Sequence, residues 1–154
     1  MKYNYTRLKN DYKTPPDIIN LARILIGNKE FELDTCCSDT EFPAKNHYIN
    51  GITDGLTADW KRLNWCNPPF IECKKWIEKA YKEQQKGNTT VMIIPVRTET
   101  KYWHDYILFN DKAYIQWLRK GHRFLDGTTR EQLNVFKNAL ALIVFKGKED
   151  RKRG

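Results

Sequence analysis

Four consecutive residues, Asn67-Pro68-Pro69-Phe70, carry hydrogen-bond acceptors on a stiff frame beside an aromatic ring. Each proline fixes its own φ at about −65° and restricts the residue before it, so the Asn67 side-chain carbonyl and the Pro68 backbone carbonyl are held as a pair. Such a pair can accept both N–H groups of one exocyclic amine. The amine of a nucleobase is a poor nucleophile because its lone pair is delocalised into the ring. Two fixed acceptors localise that lone pair and turn it toward an electrophile, with no metal and no covalent nucleophile. Phe70 adds a flat apolar face on which an extruded base can stack. The same residues also read as a plain turn, since Asn before Pro commonly starts one and Phe70 can re-enter a core. Their place directly after the apolar strand Leu63-Asn64-Trp65-Cys66 favours the chemical reading.

A loop with that task needs a sheet to position it. Pro15 and Pro16 suit a first helical turn, and apolar residues from Ile18 to Ile26 recur at helical spacing until Gly27. Phe31-Glu32-Leu33-Asp34 reads as a short strand ending in an acid, and residues 37–57 as a long loop with at most a short element near His47 to Ile49. Ile71 to Lys86 is a helix closed by Gly87, and Thr90 to Val96, β-branched and apolar, is the central strand. Tyr102 to Leu108 reads as a short aromatic helix, Ala113 to Leu118 and His122 to Leu125 as strands, and Ala139 to Phe145 as the closing strand. The alternation predicts an α/β fold with flanking helices, a mostly parallel sheet and ligands at the carboxyl ends of its strands. Asp34 and Asn67 both fall at such ends. Asp34 also reads as an ordinary loop acid or a helix cap.

With 154 residues and 40% in the hydrophobic set, one domain spans residues 1–154, its core about 11–146 and its tail 147–154 basic. The net charge is +8, and residues 78–154 hold sixteen Lys and Arg against nine acids, while residues 1–77 hold eleven against ten. A polyanion such as nucleic acid is one partner for that surface; a merely soluble basic face is the other reading. Cys36, Cys37, Cys66 and Cys73 match neither a zinc site nor a secreted disulfide scaffold, so no metal is expected. No signal-like or membrane-spanning apolar run is present, which makes the cytoplasm, bacterial or phage-infected, the expected location. His104 and His122 lie beside aromatics and read as hydrogen-bonded residues rather than general bases. Cys66 precedes Asn67 and reads as a packing residue.

The Asp/Asn-Pro-Pro-aromatic pattern resembles the catalytic motif of amino-methyltransferases. The ordered set of Tyr12-Lys13-Thr14-Pro15-Pro16, Phe31-Glu32-Leu33-Asp34, Asp54-Gly55-Leu56 with Asp59-Trp60, Asn67-Pro68-Pro69-Phe70, Trp76-Ile77-Glu78-Lys79-Ala80 and Ile94-Pro95-Val96-Arg97-Thr98 resembles the short DNA N6-adenine methyltransferases of bacteriophages and prophages. The resemblance covers roughly residues 11–146. It implies a Rossmann-like methyltransferase sheet, S-adenosylmethionine as methyl donor, and transfer to the N6 amine of adenine in double-stranded DNA. On that mapping Asn67, Pro68, Pro69 and Phe70 are catalytic. Thr14 and Pro15 match the amino-terminal cofactor segment, Asp34 with Thr35 and Cys36 the part near methionine or ribose, and Asp59 with Trp60 the cofactor's adenine. Asp59 competes with a turn-capping role, and Asp54 could stand in its place. The stretch after Asp34 lacks the Gly-rich turn of wider methyltransferase families.

Arg97, Thr98 and Lys101 after the central strand, and Arg119, Lys120 and Arg123 in the densest internal basic cluster, are candidates for contacts to DNA phosphates. A solvated basic turn accounts for them as well. Specificity would then be read from residues 37–57 or 98–135. The rival readings are a cytosine-N4 methyltransferase, which usually has Ser before Pro-Pro, a protein-glutamine methyltransferase, and a non-catalytic basic nucleic-acid-binding module.

Overall fold

The computed structural model describes residues 12–119, 125–126 and 139–148. In chain order they form strand β1 (Tyr12–Lys13), helix α1 (Pro16–Leu25), strands β2 (Phe31–Cys37), β3 (Ala44–Ile49) and β4 (Leu63–Cys66), and a 3-10 turn (Phe70–Glu72) that leads into α2 (Cys73–Gln85). Then come β5 (Thr89–Pro95), a short α3 (Lys101–Trp103) continued by a π turn (His104–Leu108), β6 (Ala113–Trp117), β7 (Leu125–Asp126) and β8 (Leu140–Phe145). Six strands make one sheet in the order β3-β2-β4-β5-β8-β6, and β1 pairs with β7 in a separate two-stranded ribbon. Of the expected strand His122 to Leu125, only Leu125 is among the described residues.

The sheet is mixed rather than mostly parallel. β3, β2, β4 and β5 pair in parallel, but β8 enters between β5 and β6 antiparallel to both. An apolar run such as Leu140–Phe145 shows that a strand is covered on both faces and carries no information about its direction. Strand alternation divides the core. Val91 and Ile93 join Ile18 and Ala22 of α1 on one face, with Trp65, Leu142 and Val144. Met92 and Ile94 join Trp76, Ile77 and Ala80 of α2 on the other, with Cys66, Ile143 and Phe145. Each fully buried Val, Leu, Ile, Met or Phe among them contributes about 1.5–3 kcal/mol of transfer free energy.

Parallel neighbours usually need a crossover of a dozen or more residues, most often a helix. From β2 to β3 the chain returns in the six residues 38–43. Phe42 anchors that extended return, its ring stacked on Trp65 at 4.8 Å and tilted against Phe31 at 5.7 Å. Residues 50–62 run back over the opposite face from β3 to β4, anchored by Trp60. The Trp60 indole N–H donates to the Gly55 carbonyl at 2.7 Å and its ring lies 6.4 Å from that of Trp76. Gly55 lies so close beneath β2 that a Cβ there would sit 2.1 Å from the Thr35 carbonyl oxygen and 2.9 Å from the Trp76 ring.

Candidate active site

β4 delivers its chain straight into Asn67. Pro68 and Pro69 are buried, and the Pro69 carbonyl accepts the Glu72 N–H at 2.9 Å, which starts the 3-10 turn and fixes where the loop ends. Phe70 is half-buried and packs against both core clusters, so only part of its ring is open for stacking. Asn67 is half-buried, and its Nδ2 donates to Thr14 Oγ1 at 3.3 Å. Thr14 follows β1 directly, and the pairing of Tyr12 with Asp126 and Lys13 with Leu125 ties down that segment. With Nδ2 engaged, Oδ1 is the acceptor end of the amide. Neither Asn67 Oδ1 nor the Pro68 carbonyl accepts a hydrogen bond from any described residue.

Next to β4, β2 sets Asp34 in register with Trp65, one strand across and two residues before the level of Asn67. Asp34 is 3% exposed, and its Oδ1 accepts the Cys36 N–H at 3.4 Å. Thr35, fully buried, donates its hydroxyl to the Trp65 carbonyl at 3.0 Å, locking the two strand ends together. Cys36 Sγ lies 3.8 Å from Asn50 Oδ1, at the end of β3. Thr14, Asp34, Thr35 and Cys36 are thereby gathered with Asn67, and Pro15 follows Thr14 as the N-cap of α1.

Asp59 and Trp60 are not part of that gathering. Residues 50–62 run toward the amino ends of the strands, so Asp59 comes to lie beside the last turn of α2. Its side chain is 92% exposed with Oδ1 3.4 Å from Lys86 Nζ. Trp60 is buried as the anchor already described. Asp54, earlier in the same connection, accepts the Leu56 N–H at 2.9 Å and flanks Gly55 against Thr35.

The cations after β5 are exposed, yet each has an acid. Arg97 Nε donates to Glu99 at 2.5 Å, and the same carboxylate raises the Arg97 pKa above its ordinary value; Lys101 pairs with Asp105. The Thr98 carbonyl meets the His104 ring at 2.7 Å. Arg119 is exposed, whereas Lys120, His122 and Arg123 lie outside the described residues. Burial pushes the Cys66 thiol well above the ordinary range, and it pushes Cys73 up to about 12 against the opposing influence of Arg97. Neither is a thiolate at neutral pH. Among the described residues there is no cluster of three or more His, Cys, Asp or Glu able to hold a metal, and no helix long and apolar enough to cross a membrane.

From sequence, Gly55 is named only within a motif and no functional role is assigned to Asn50, both of which border the strand ends, nor to Ile71, Lys74 and Lys75, which leave the loop exposed. The helical spacing of the last three was a usable signal.

An α/β sheet that brings a buried acid and an open pair of carbonyl acceptors to adjoining strand ends has the build of a group-transfer enzyme. The family model described as DNA N-6-adenine-methyltransferase (Dam) matches residues 4–153, and the chain belongs to that family. Its activity is methylation of the N6 amine of adenine in DNA. A DNA N-6-adenine-methyltransferase of Haemophilus phage HP1 (strain HP1c1) is 30% identical over 123 residues, 79% of this chain and 70% of the phage protein. Among solved structures, precorrin 8W decarboxylase of Methanobacterium thermoautotrophicum is similar at a TM-score of 0.46 and 14% identity, covering 88% of this chain and 92% of that one.

Proposed function

We propose that this enzyme takes its methyl group from S-adenosylmethionine, bound at the carboxyl ends of β2 and β4 of a Rossmann-like methyltransferase sheet. In this reading Asn67-Pro68-Pro69-Phe70 presents the adenine amine of duplex DNA. The observation that carries it is the division of the Asn67 amide: Nδ2 is held by Thr14, while Oδ1 and the adjacent Pro68 carbonyl are open acceptors on a frame stiffened by two prolines.

The surrounding groups suit the donor molecule, which carries a sulfonium and an ammonium, a carboxylate, a ribose diol and an adenine. Asp34 brings a buried carboxylate to the cationic part; Thr14 and Asn50 bring hydroxyl and amide groups, Pro15 and Cys36 bring apolar surface, and the buried Thr35 holds β2 to β4 beneath them. When bound, S-adenosylmethionine supplies an electrophilic methyl carbon. Asn67 Oδ1 and the Pro68 carbonyl accept the two N–H groups of the target amine, which draws its lone pair out of the ring and stabilises the positive charge that develops on N6. The exposed part of Phe70 holds the face of the extruded base. Asp54 is a better placed contact for the cofactor's adenine than Asp59, because its neighbour Gly55 touches Thr35. Arg119 is an exposed candidate for a phosphate, and Arg97 and Lys101 would exchange their acids for one. The reaction would run in the bacterial or phage-infected cytoplasm, where both substrates occur.

The test is to incubate the protein with unmethylated duplex DNA and methyl-labelled S-adenosylmethionine, then digest to nucleosides. Label is expected in N6-methyladenine. Asn67→Ala is expected to lower kcat by at least about 100-fold, the scale of one missing transition-state hydrogen bond in a preorganised site, with DNA affinity nearly unchanged. Full activity in that variant would overturn the loop's role.

A further inference from the structure

One residue beyond the half-buried Phe70, the β-branched Ile71 is 61% exposed. A single exposed apolar side chain is ordinary on a protein surface. Three neighbouring features separate this one from the rest. The backbone beneath it is fixed, because the Glu72 N–H reaches the Pro69 carbonyl at 2.9 Å and the Cys73 N–H reaches that of Phe70. Lys74 and Lys75 follow at the i+3 and i+4 positions, one turn further along the same surface, while Cys73, Trp76 and Ile77 turn inward. Both lysines are exposed, and neither has a carboxylate partner among the described residues, unlike Arg97 and Lys101. Glu72, half-buried between Ile71 and Cys73, has an interaction of its own.

An enzyme that extrudes a base leaves a gap in the stack, and an apolar prong entering that gap stabilises the opened duplex. The prong must lie beside the pocket that receives the base and needs cations near it to hold the flanking phosphates. Ile71 with Lys74 and Lys75 meets both conditions within five residues of chain. We propose that Ile71 is the positioning residue that fills the space left by the target adenine, and that Lys74 and Lys75 grip the backbone on either side of it. This rests on the reading of Asn67-Pro68-Pro69-Phe70 as the target-base site.

The wild-type enzyme first maps its own target on unmethylated DNA. Duplexes are then made with the target adenine opposite thymine or opposite an abasic site, where the base is already unpaired. Ile71→Ala is expected to lose roughly tenfold or more in kcat/KM on the paired duplex and to regain most of it opposite the abasic site, with Ile71→Leu close to wild type on both. Lys74→Gln with Lys75→Gln is expected to reduce the slope of log Kd against log salt by about 2, roughly one for each phosphate that is no longer neutralised, and by more than Arg97→Gln with Lys101→Gln does. Equal loss on both duplexes, no loss on either, or an unchanged salt slope would each overturn the assignment. A wild-type enzyme that methylates adenine while Ile71→Ala shows no difference between duplexes refutes the prong alone; Asn67→Ala with full activity refutes the loop reading on which it rests.

Discussion

The Asn67–Thr14 contact is the point at which two segments 53 positions apart meet, and it decides which end of the amide faces outward. Thr14→Val keeps the shape and removes the oxygen that accepts Asn67 Nδ2. A net hydrogen bond of this kind contributes about 1 kcal/mol, so kcat is expected to fall on the order of fivefold to tenfold while DNA binding holds. Thr14→Ser, which restores the acceptor, should recover most of the loss; equal defects in Val and Ser variants would mean that the hydroxyl does not orient Asn67. Asn67→Asp keeps an acceptor in place and is expected to retain more activity than Asn67→Ala. Cys66 lies beside the loop but is fully buried as a protonated thiol, so Cys66→Ala should methylate DNA at close to the wild-type rate.

At the scale of elements, Gly55 has the strictest requirement near the site. Gly55→Ala would drive a Cβ to within 2.1 Å of the Thr35 carbonyl oxygen, and backbone cannot yield as a flexible side chain does. Overpacking of that severity costs about 1–3 kcal/mol or more, read as a lower urea midpoint, with weaker S-adenosylmethionine binding as residues 50–62 lift from the end of β2. An unchanged midpoint would show that the connection is not seated there. The helices α1 and α2, the strands β2, β4, β5 and β8, and the placement of Asn67 at a strand end were legible because each has a clear apolar period or a turn signal. β3 was legible only as a short element near His47 to Ile49: Ala44–Ile49 is an edge strand with no buried residue, so its sequence shows no stripe. The six-residue return before it replaces a helix with one stacked ring, Phe42 on Trp65, a device that no periodicity announces. The position of Asp59 beside Lys86 was not legible for a related reason, since spacing cannot tell how far a connection has travelled down the sheet. The Thr14 contact depends on the β1–β7 pairing across the molecule, which local sequence could not supply.

Across the whole molecule, the net charge of +8 already sets every acid against a cation, so it does not say which cations face DNA unpaired. Lys79, Lys86, Arg97 and Lys101 of the more basic half are all within ion-pair distance of an acid. Glu83 is central among these. Its side chain is buried, which opposes ionisation, but hydrogen bonds from Asn88, Lys79 and Lys86 outweigh that and hold its pKa below the ordinary 4.5. A lowered folded pKa adds stability that is present above the unfolded value and lost as pH falls through the folded one. Cys66 and Cys73 act with the opposite sign. Their pKa values rise on burial from 9.0, so their contribution is complete below about pH 9 and declines as pH climbs toward the folded value, about 12 for Cys73. The thermal midpoint is therefore expected to be flat from about pH 5 to 8 and to fall on both sides. Glu83→Gln should reduce the acid-side fall, and Cys73→Ala the alkaline one, each relative to its own neutral-pH midpoint. An alkaline arm that keeps its steepness without Cys73 would assign that limit to other groups.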